Sequence, residues 1–463
     1  MTPKPLEKEK LSYYFFRSEG LKRLSNVFAT LLGFVNSFFI IKSLSVFHFG
    51  LFQLVFSFLN IVDSFDFRNL DGPFSVELRT YFSKGEFGKA KRLFLDIVFW
   101  RIGLMAILAI IIFFSSSLVA DFYDQDIGTL VKIISAVILL NAIESIESIF
   151  LKSTMIFSYW FFPAMREIAK LGIILLYLLG GGLDLIGVAV AHTGGILVAV
   201  LAMSVFLFWN PFRQKFVGIV GDSQSLIGNF LKVHGGWLFL RYGISRFSKN
   251  LMPWLIQFFI NVEAVGFYSL AVNLVSMIEG FMPLDGIAPL FLARLGSREQ
   301  MAFIFQRSIK YILIISFLFI AVSFFFVPIA IEYIFPKYLD ALPLFKIMLF
   351  GLPFYGIYKI LKAVLSVLRE YKILTMRLLN ETLVIPIGSF IFLPTLKIVG
   401  SAFVYVAIFI ERTFFFYSQL TKKYPEFRLR SKNLFTIDKH DREIIANGFR
   451  YASLKVSGWF KKN

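Results

Sequence analysis

The sequence predicts an all-α polytopic membrane protein with about twelve transmembrane helices, arranged as two six-helix halves around a central cavity. Three observations carry this. Of the 463 residues, 57% are hydrophobic, 18% aromatic and only 17% charged, a balance that no soluble globular domain of this size keeps. Apolar runs of about 20 residues, the length a helix needs to cross a bilayer, recur along the whole chain. The basic residues between those runs alternate from loop to loop.

Residues 1–23 form a polar, basic segment. Spans are predicted at 24–44, 48–67, 94–115, 129–151, 162–181 and 185–208, which make an N-terminal half of 24–208. The linker 209–230 leads to spans at 231–260, 263–283, 303–327, 342–364, 374–394 and 398–418, a C-terminal half of 231–420. A basic tail, 421–463, follows; Ile445, Phe449, Ala452, Val456 and Trp459 fall at helical spacing among its cations and predict an amphipathic helix on the inner leaflet.

Charge sets the orientation. With the N-terminus in the cytoplasm, the inner loops hold Arg68, Arg79, Lys84, Lys89, Lys91 and Arg92, then Lys152, Arg213, Lys215, Arg294, Arg298, Arg369 and Lys372. The outer loops hold only Lys337 and Lys397. This is the positive-inside pattern, and it places both termini in the cytoplasm of a plasma (inner) membrane. It also accounts for the net charge of +18 without a nucleic-acid partner, while drawing anionic membrane lipids to that face. The chain has no cysteine, and its four histidines are scattered, so disulfides and thiolate chemistry are excluded and no metal-ligand spacing is present.

The halves resemble each other. A shift of 216 lays residues 45–65 over 261–281, where Val46/Val262, Gly50/Gly266, Leu54/Leu270 and Phe65/Phe281 coincide and Asp63/Glu279 is conservative. Duplicated six-helix bundles describe a transporter that works by rocking one half against the other.

The span 231–260 is the exception to the apolar pattern. It carries Arg241, Arg246 and Lys249 in its interior, with Pro253 and several glycines loosening the helix. A cation at mid-depth costs roughly 2.5–3.5 kcal/mol on insertion scales. At about 100° per residue, Arg246 lies about 140° and Lys249 about 80° round from Arg241, so one broad face holds all three. That face is expected to line a hydrated lumen that receives an anion. Two other readings stay open: the span starts near Trp254 and the cations lie in a loop, or acids on neighbouring helices neutralise them.

Other charges fall inside spans. Asn141, Glu144 and Glu147 recur at i, i+3 and i+6 and form a polar stripe. It is a candidate proton or Na⁺ coupling site, or a set of partners for lumen cations. Asp63, with Asp66, Glu279 and Asp285, lies near the cytoplasmic span ends as gate or salt-bridge candidates. In the fifth span Glu167 is spaced to pair with Lys170, leaving Arg166 at the inner mouth. Arg101, Arg377, Glu381, Glu411 and Arg412 are expected near the inner surface, where long side chains snorkel, and Arg377/Glu381 are spaced to pair.

Gly50-Leu51-Phe52-Gln53-Leu54, the loop Val76-Glu77-Leu78-Arg79 with Lys84-Gly85-Glu86, and Gly266-Phe267-Tyr268-Ser269-Leu270 resemble, over about residues 20–420, the polysaccharide or O-antigen-type flippases of the multidrug/oligosaccharidyl-lipid/polysaccharide exporter superfamily. The resemblance implies a non-enzymatic transporter that moves a polyprenyl-pyrophosphate-linked oligosaccharide from inner to outer leaflet, its anion held by Arg241, Arg246, Lys249 and Arg166. No cofactor is implied beyond H⁺ or Na⁺ coupling, and the expected partners are a polysaccharide polymerase and glycosyltransferases. A cation-coupled drug or metabolite antiporter is the alternative, kept open by Glu144 and Glu147. A polytopic glycosyltransferase or ligase is more remote, because the outer acids Asp121, Asp124 and Asp126 lack a base or metal-ligand set. Peptidoglycan-precursor flippases usually carry two extra spans and first-half basic residues, both missing here.

Overall fold

A computed structural model of the chain describes residues 8–123, 127–154, 161–209, 211–282 and 298–429, and all regular structure among them is helical. The helices are α1 (Lys8–Ser43), α2 (Val46–Val62), α3 (Asp71–Lys84), α4 (Phe87–Phe114), α5 (Ser116–Tyr123), α6 (Gly128–Ser153), α7 (Phe162–Leu179), α8 (Leu185–Trp209) and α9 (Pro211–Phe216). There follow α10 (Ile227–Phe259), α11 (Val262–Gly280), α12 (Arg298–Ile334), α13 (Ala341–Leu349), α14 (Leu352–Val367), α15 (Tyr371–Leu396) and α16 (Ile398–Lys423).

Each expected span overlaps one of these helices, except that 342–364 is divided between α13 and α14. Among the described residues nine are long and apolar enough to cross a membrane, ten if α13 and α14, bent by 46° at their junction, form one span. The chain is a multi-pass membrane protein. The two long helices left out are α7 and α10. Arg166, Glu167 and Lys170 interrupt the first, and Lys232, Arg241, Arg246 and Lys249 the second. The expected amphipathic helix of the tail and Asp285 lie outside the described residues.

The chain divides into two compact units: residues 1–274, 327–346 and 378–404, and residues 275–326, 347–377 and 405–463. The boundary is not at the linker 209–230, because α10 lies along α2 and along the turns that follow it. It is also tied to α15: the hydroxyls of Ser248 and Thr382 meet at 2.6 Å, and Ser389 Oγ donates to Met252 Sδ at 3.3 Å. Much of the expected C-terminal half therefore packs with the first unit. In that unit α3 buries Leu70, Phe74 and Leu78 against Ile146, Ile149 and Phe150 of α6. Phe74 also stacks on Phe230 at 4.1 Å. In a bilayer such contacts stabilise through close packing, since lipid tails are as apolar as the side chains.

The repeat appears as a physical contact. A Cβ on Gly50 would lie 2.1 Å from the Val262 carbonyl oxygen, and one on Gly266 would lie 2.4 Å from that of Val46. Gly50 and Gly266 coincide under the 216-residue shift, and so do Val46 and Val262. The contact is thus reciprocal, as a local two-fold requires, and only glycine lets the backbones approach so closely. Beside it Lys337, one of the two basic residues in the expected outer loops, donates Nζ to the carbonyls of Lys42, at 2.8 Å, and Leu44 at the end of α1. An ammonium there satisfies orphan carbonyls and faces the negative end of the helix dipole. Burial draws its pKa below the ordinary lysine range.

In the second unit, Thr413 of α16 donates to the Phe354 carbonyl of α14 at 2.9 Å. Glu370, between α14 and α15, accepts from Lys423 and from Tyr424 Oη. These bonds hold its carboxyl below the usual carboxylate range.

Gly50→Ala and Gly266→Ala should each lower the thermal unfolding midpoint in detergent, at a cost of about 1–3 kcal/mol for overpacking. Wild-type midpoints for both variants would contradict the close approach.

Candidate functional site

The polar interior of the first unit begins where α2 stops. The sequence Asp63-Ser-Phe-Asp-Phe-Arg-Asn-Leu70 is dense in side chains that bond to nearby backbone, and Pro73, without an N–H, fits the first turn of α3. The chain responds with two 3₁₀ turns, Asp63–Asp66 and Arg68–Leu70, joined by Phe67 at φ 54°. This leaves three aspartates in the interior, and two arginines answer them.

Arg101 is the anchor. It lies in the middle of α4, 1% exposed. Its Nε is 3.1 Å from Asp66 Oδ1, its Nη2 is 2.8 Å from Asp71 Oδ1, and its Nη1 donates to Ser145 Oγ of α6 at 2.7 Å. Ser145 in turn donates to Asp71 Oδ2 at 2.6 Å. Arg68 donates to Asp66 Oδ2 and to the Asn141 carbonyl, both at 2.9 Å. Arg101, expected near the inner surface, is the fifteenth residue of α4, and its guanidinium is buried among Asp66, Asp71 and Ser145.

The stripe on α6 diverges. Asn141 donates to Asp63 Oδ2 at 3.0 Å. Glu144 faces Arg166 at 3.9 Å. Glu147, buried, turns to α8 and accepts from Ser204. Glu167 takes two bonds from Asn36 Nδ2 of α1, at 2.9 Å to its carboxylate and 3.0 Å to its carbonyl, and lies 3.5 Å from Arg166. Lys170 lies within electrostatic reach of Glu167, and His192, packed edge-on to Phe56 at 4.4 Å, stands near both Lys170 and Arg166.

On α10 the three cations fare differently. The Arg241 side chain lies outside the described residues. Lys249 is exposed. Arg246 is half-buried; its Nε donates to Tyr242 Oη at 2.9 Å and its guanidinium lies 5.2 Å from that ring. Ser248 binds α15, and a position two residues away points about 200° round the helix, so Arg246 turns from α15 toward the 3₁₀ turns. There its charge acts on Asp63, together with Arg68 and Glu144. Glu279 stands in the second unit, where it accepts from Tyr405 Oη at 2.8 Å beside Lys359 and Arg412.

Among the described residues the first-unit cluster sets Asp63, Asp66, Asp71, Glu144, Glu147 and Glu167 against Arg68, Arg101, Arg166, Lys170 and Arg246. Within it the bonds around Arg101 are short and dry, whereas Arg166, with its side chain 34% exposed, holds its acids loosely. Such an arrangement combines a fixed scaffold around Arg101 with a looser set of contacts around Arg166.

Residues 87–338, more than half of the chain, match the model of a family described as polysaccharide biosynthesis protein. The chain belongs to that family. No curated protein matches it. Solved structures share the fold of this polysaccharide biosynthesis family member at low identity. A lipid II flippase MurJ in an inward closed conformation superposes with a TM-score of 0.71 at 15% identity over 89% of both chains. An inward-facing multidrug resistance MATE family transporter of the MOP superfamily gives 0.68 at 13% identity, over 86% of this chain and 96% of that one. The MATE multidrug transporter DinF-BH gives 0.57 at 16% identity, over 93% of this chain and 100% of that one.

Removing one partner of a buried ion pair costs about 3–5 kcal/mol. Arg101→Gln should lower stability on that scale in detergent unfolding, and adding Asp71→Asn should restore part of it, since the second change removes the carboxylate left unpaired. A stable Arg101→Gln protein, or a simple sum of the two losses, would contradict the network.

Proposed function

We propose that this family member is a transporter, not an enzyme, which moves a polyprenyl-pyrophosphate-linked oligosaccharide across the bilayer by alternating access. One observation carries the reading. The two long helices too charged to count as plain spans, α7 and α10, hold Arg166 and Arg246 with part of each side chain open and without a close carboxylate clamp. An arginine so placed can accept a diphosphate through two parallel N–H bonds. Arg241 and Lys249 would add charge along α10. The family and the shared fold of flippases and exporters support the substrate class.

In this reading the lipid tail stays in the bilayer while the headgroup crosses beside α10. Asp63, Asn141 and Arg68 form the polar floor against which Arg246 rests between cycles. Glu144 is displaced from Arg166 when the diphosphate arrives, and Glu144, Glu147 and Asn141 are the groups through which H⁺ or Na⁺ would couple. The membrane is the plasma (inner) membrane with both termini cytoplasmic, and a polymerase and glycosyltransferases would supply and consume the substrate.

A second reading, cation-coupled drug or metabolite antiport, is favoured by the neighbouring acids Glu144 and Glu147 of α6.

Reconstituted liposomes carrying a fluorescent polyprenyl-diphosphate oligosaccharide separate the two. The Arg166→Gln/Arg246→Gln protein should flip at least about tenfold more slowly, the loss expected for one charged hydrogen bond. Glu144→Gln should shift the pH or Na⁺ dependence. Wild-type flipping by the double variant, or export of a cationic dye in its place, would reject the diphosphate reading.

A further inference from the structure

The first unit holds an apolar cavity that the transport reading leaves unused. Its volume is about 300 Å³, and α2, α4, α5 and α6 wall it, with Trp254 of α10 on one side. Apart from the Ser115 hydroxyl and the Trp254 indole N–H, the lining side chains are hydrocarbon. A water molecule needs two or more polar partners and finds too few here, whereas a cavity of about 150 Å³ with such walls takes benzene. Twice that volume suits a short stretch of branched hydrocarbon.

Two helices lead to it from the polar cluster. On α2 the lining runs from Leu51 to Leu59, about 12 Å at about 1.5 Å per residue. Leu59 stands one turn before Asp63, the acid on which the Arg246 charge acts. On α10 Trp254 lies two turns beyond Arg246, again about 12 Å along the axis. The mouth is apolar as well: Phe58, edge-on to Trp254 at 6.3 Å, and Leu118 of α5 are 38% and 70% exposed. Trp254 also buries its indole N–H without an acceptor, and a buried tryptophan usually finds one. An occupant with an oxygen beside its hydrocarbon can supply it.

These positions select the occupant. A molecule whose anion rests on Arg246 meets the cavity with whatever follows that anion. A phospholipid acyl chain comes with no diphosphate, and a soluble diphosphate brings no chain. A polyprenyl diphosphate brings both, and its methyl branches suit a cavity that is wide for its length.

We propose that this cavity seats the isoprenoid units next to the diphosphate of the transported lipid, while the rest of the tail leaves past Phe58 and Leu118 into the bilayer. The choice of chain rests on the diphosphate reading; the existence of an apolar site does not.

Calorimetric titration of the full-length protein in phosphatidylcholine nanodiscs, with empty discs as the blank, tests it. Geranyl diphosphate should bind at least about tenfold more tightly than sodium pyrophosphate, the gain from burying about two methylene-sized groups. Val131→Phe and Val55→Phe each put a ring into the cavity; they should abolish that gain, leave pyrophosphate binding unchanged, and keep or raise the unfolding midpoint, as filling a void does. Should one of them not fold, the other carries the test. Geraniol, which has the chain and no diphosphate, should bind the wild type and the Arg166→Gln/Arg246→Gln protein alike. Geraniol binding without pyrophosphate binding would keep the cavity and reject the diphosphate reading. Failure of geraniol to bind, or binding of geranyl diphosphate unchanged in folded phenylalanine variants, would overturn the proposal. Decyl diphosphate, equal in carbon count and unbranched, should bind more weakly; equal binding would assign the cavity to a straight acyl chain and overturn the isoprenoid choice.

Discussion

A charge carried into a bilayer must find a partner or water, and the guanidinium of Arg101 shows what that constraint does to this chain. Buried among apolar helices, it needs carboxylates to answer its charge. The break after α2 supplies Asp66 and Asp71, Phe67 takes a left-handed conformation to make it, and Ser145 of α6 closes the remaining bond. Four elements are fixed by one side chain.

The duplicated scaffold is used asymmetrically. Gly50 and Gly266 meet as equals, each against the backbone beside the other. Asp63 and Glu279, matched by the same shift, both accept a neutral donor, Asn141 in one unit and Tyr405 in the other. Yet the surroundings differ. Asp63 lies near Arg68, Arg246 and Glu144, whereas Glu279 lies near Lys359 and Arg412.

The spans were legible in the sequence because a bilayer demands long apolar runs, and α7 and α10 were legible as exceptions because their charges interrupt those runs. Partners were not. Helical spacing placed Asn141, Glu144 and Glu147 on one stripe, but the stripe faces three neighbours, and Asp63, Arg166 and Ser204 each take one residue. Glu167 had Lys170 one turn away, yet Asn36 of α1 reaches it with two bonds. Arg377, spaced to share a face with Glu381, also donates to Tyr358 Oη, across to another helix. Spacing along one helix says which residues share a face and nothing about which helix that face meets.

The central claim is that Arg166 and Arg246 meet water inside a membrane protein. The chain has no cysteine, so single Arg166→Cys and Arg246→Cys proteins can be probed in sealed liposomes without background. Labelling by a membrane-impermeant thiol reagent at both positions, slowed by pyrophosphate, is the result this account predicts. Protection of both positions in a folded protein, while cysteines in the exposed loops label freely, would contradict it.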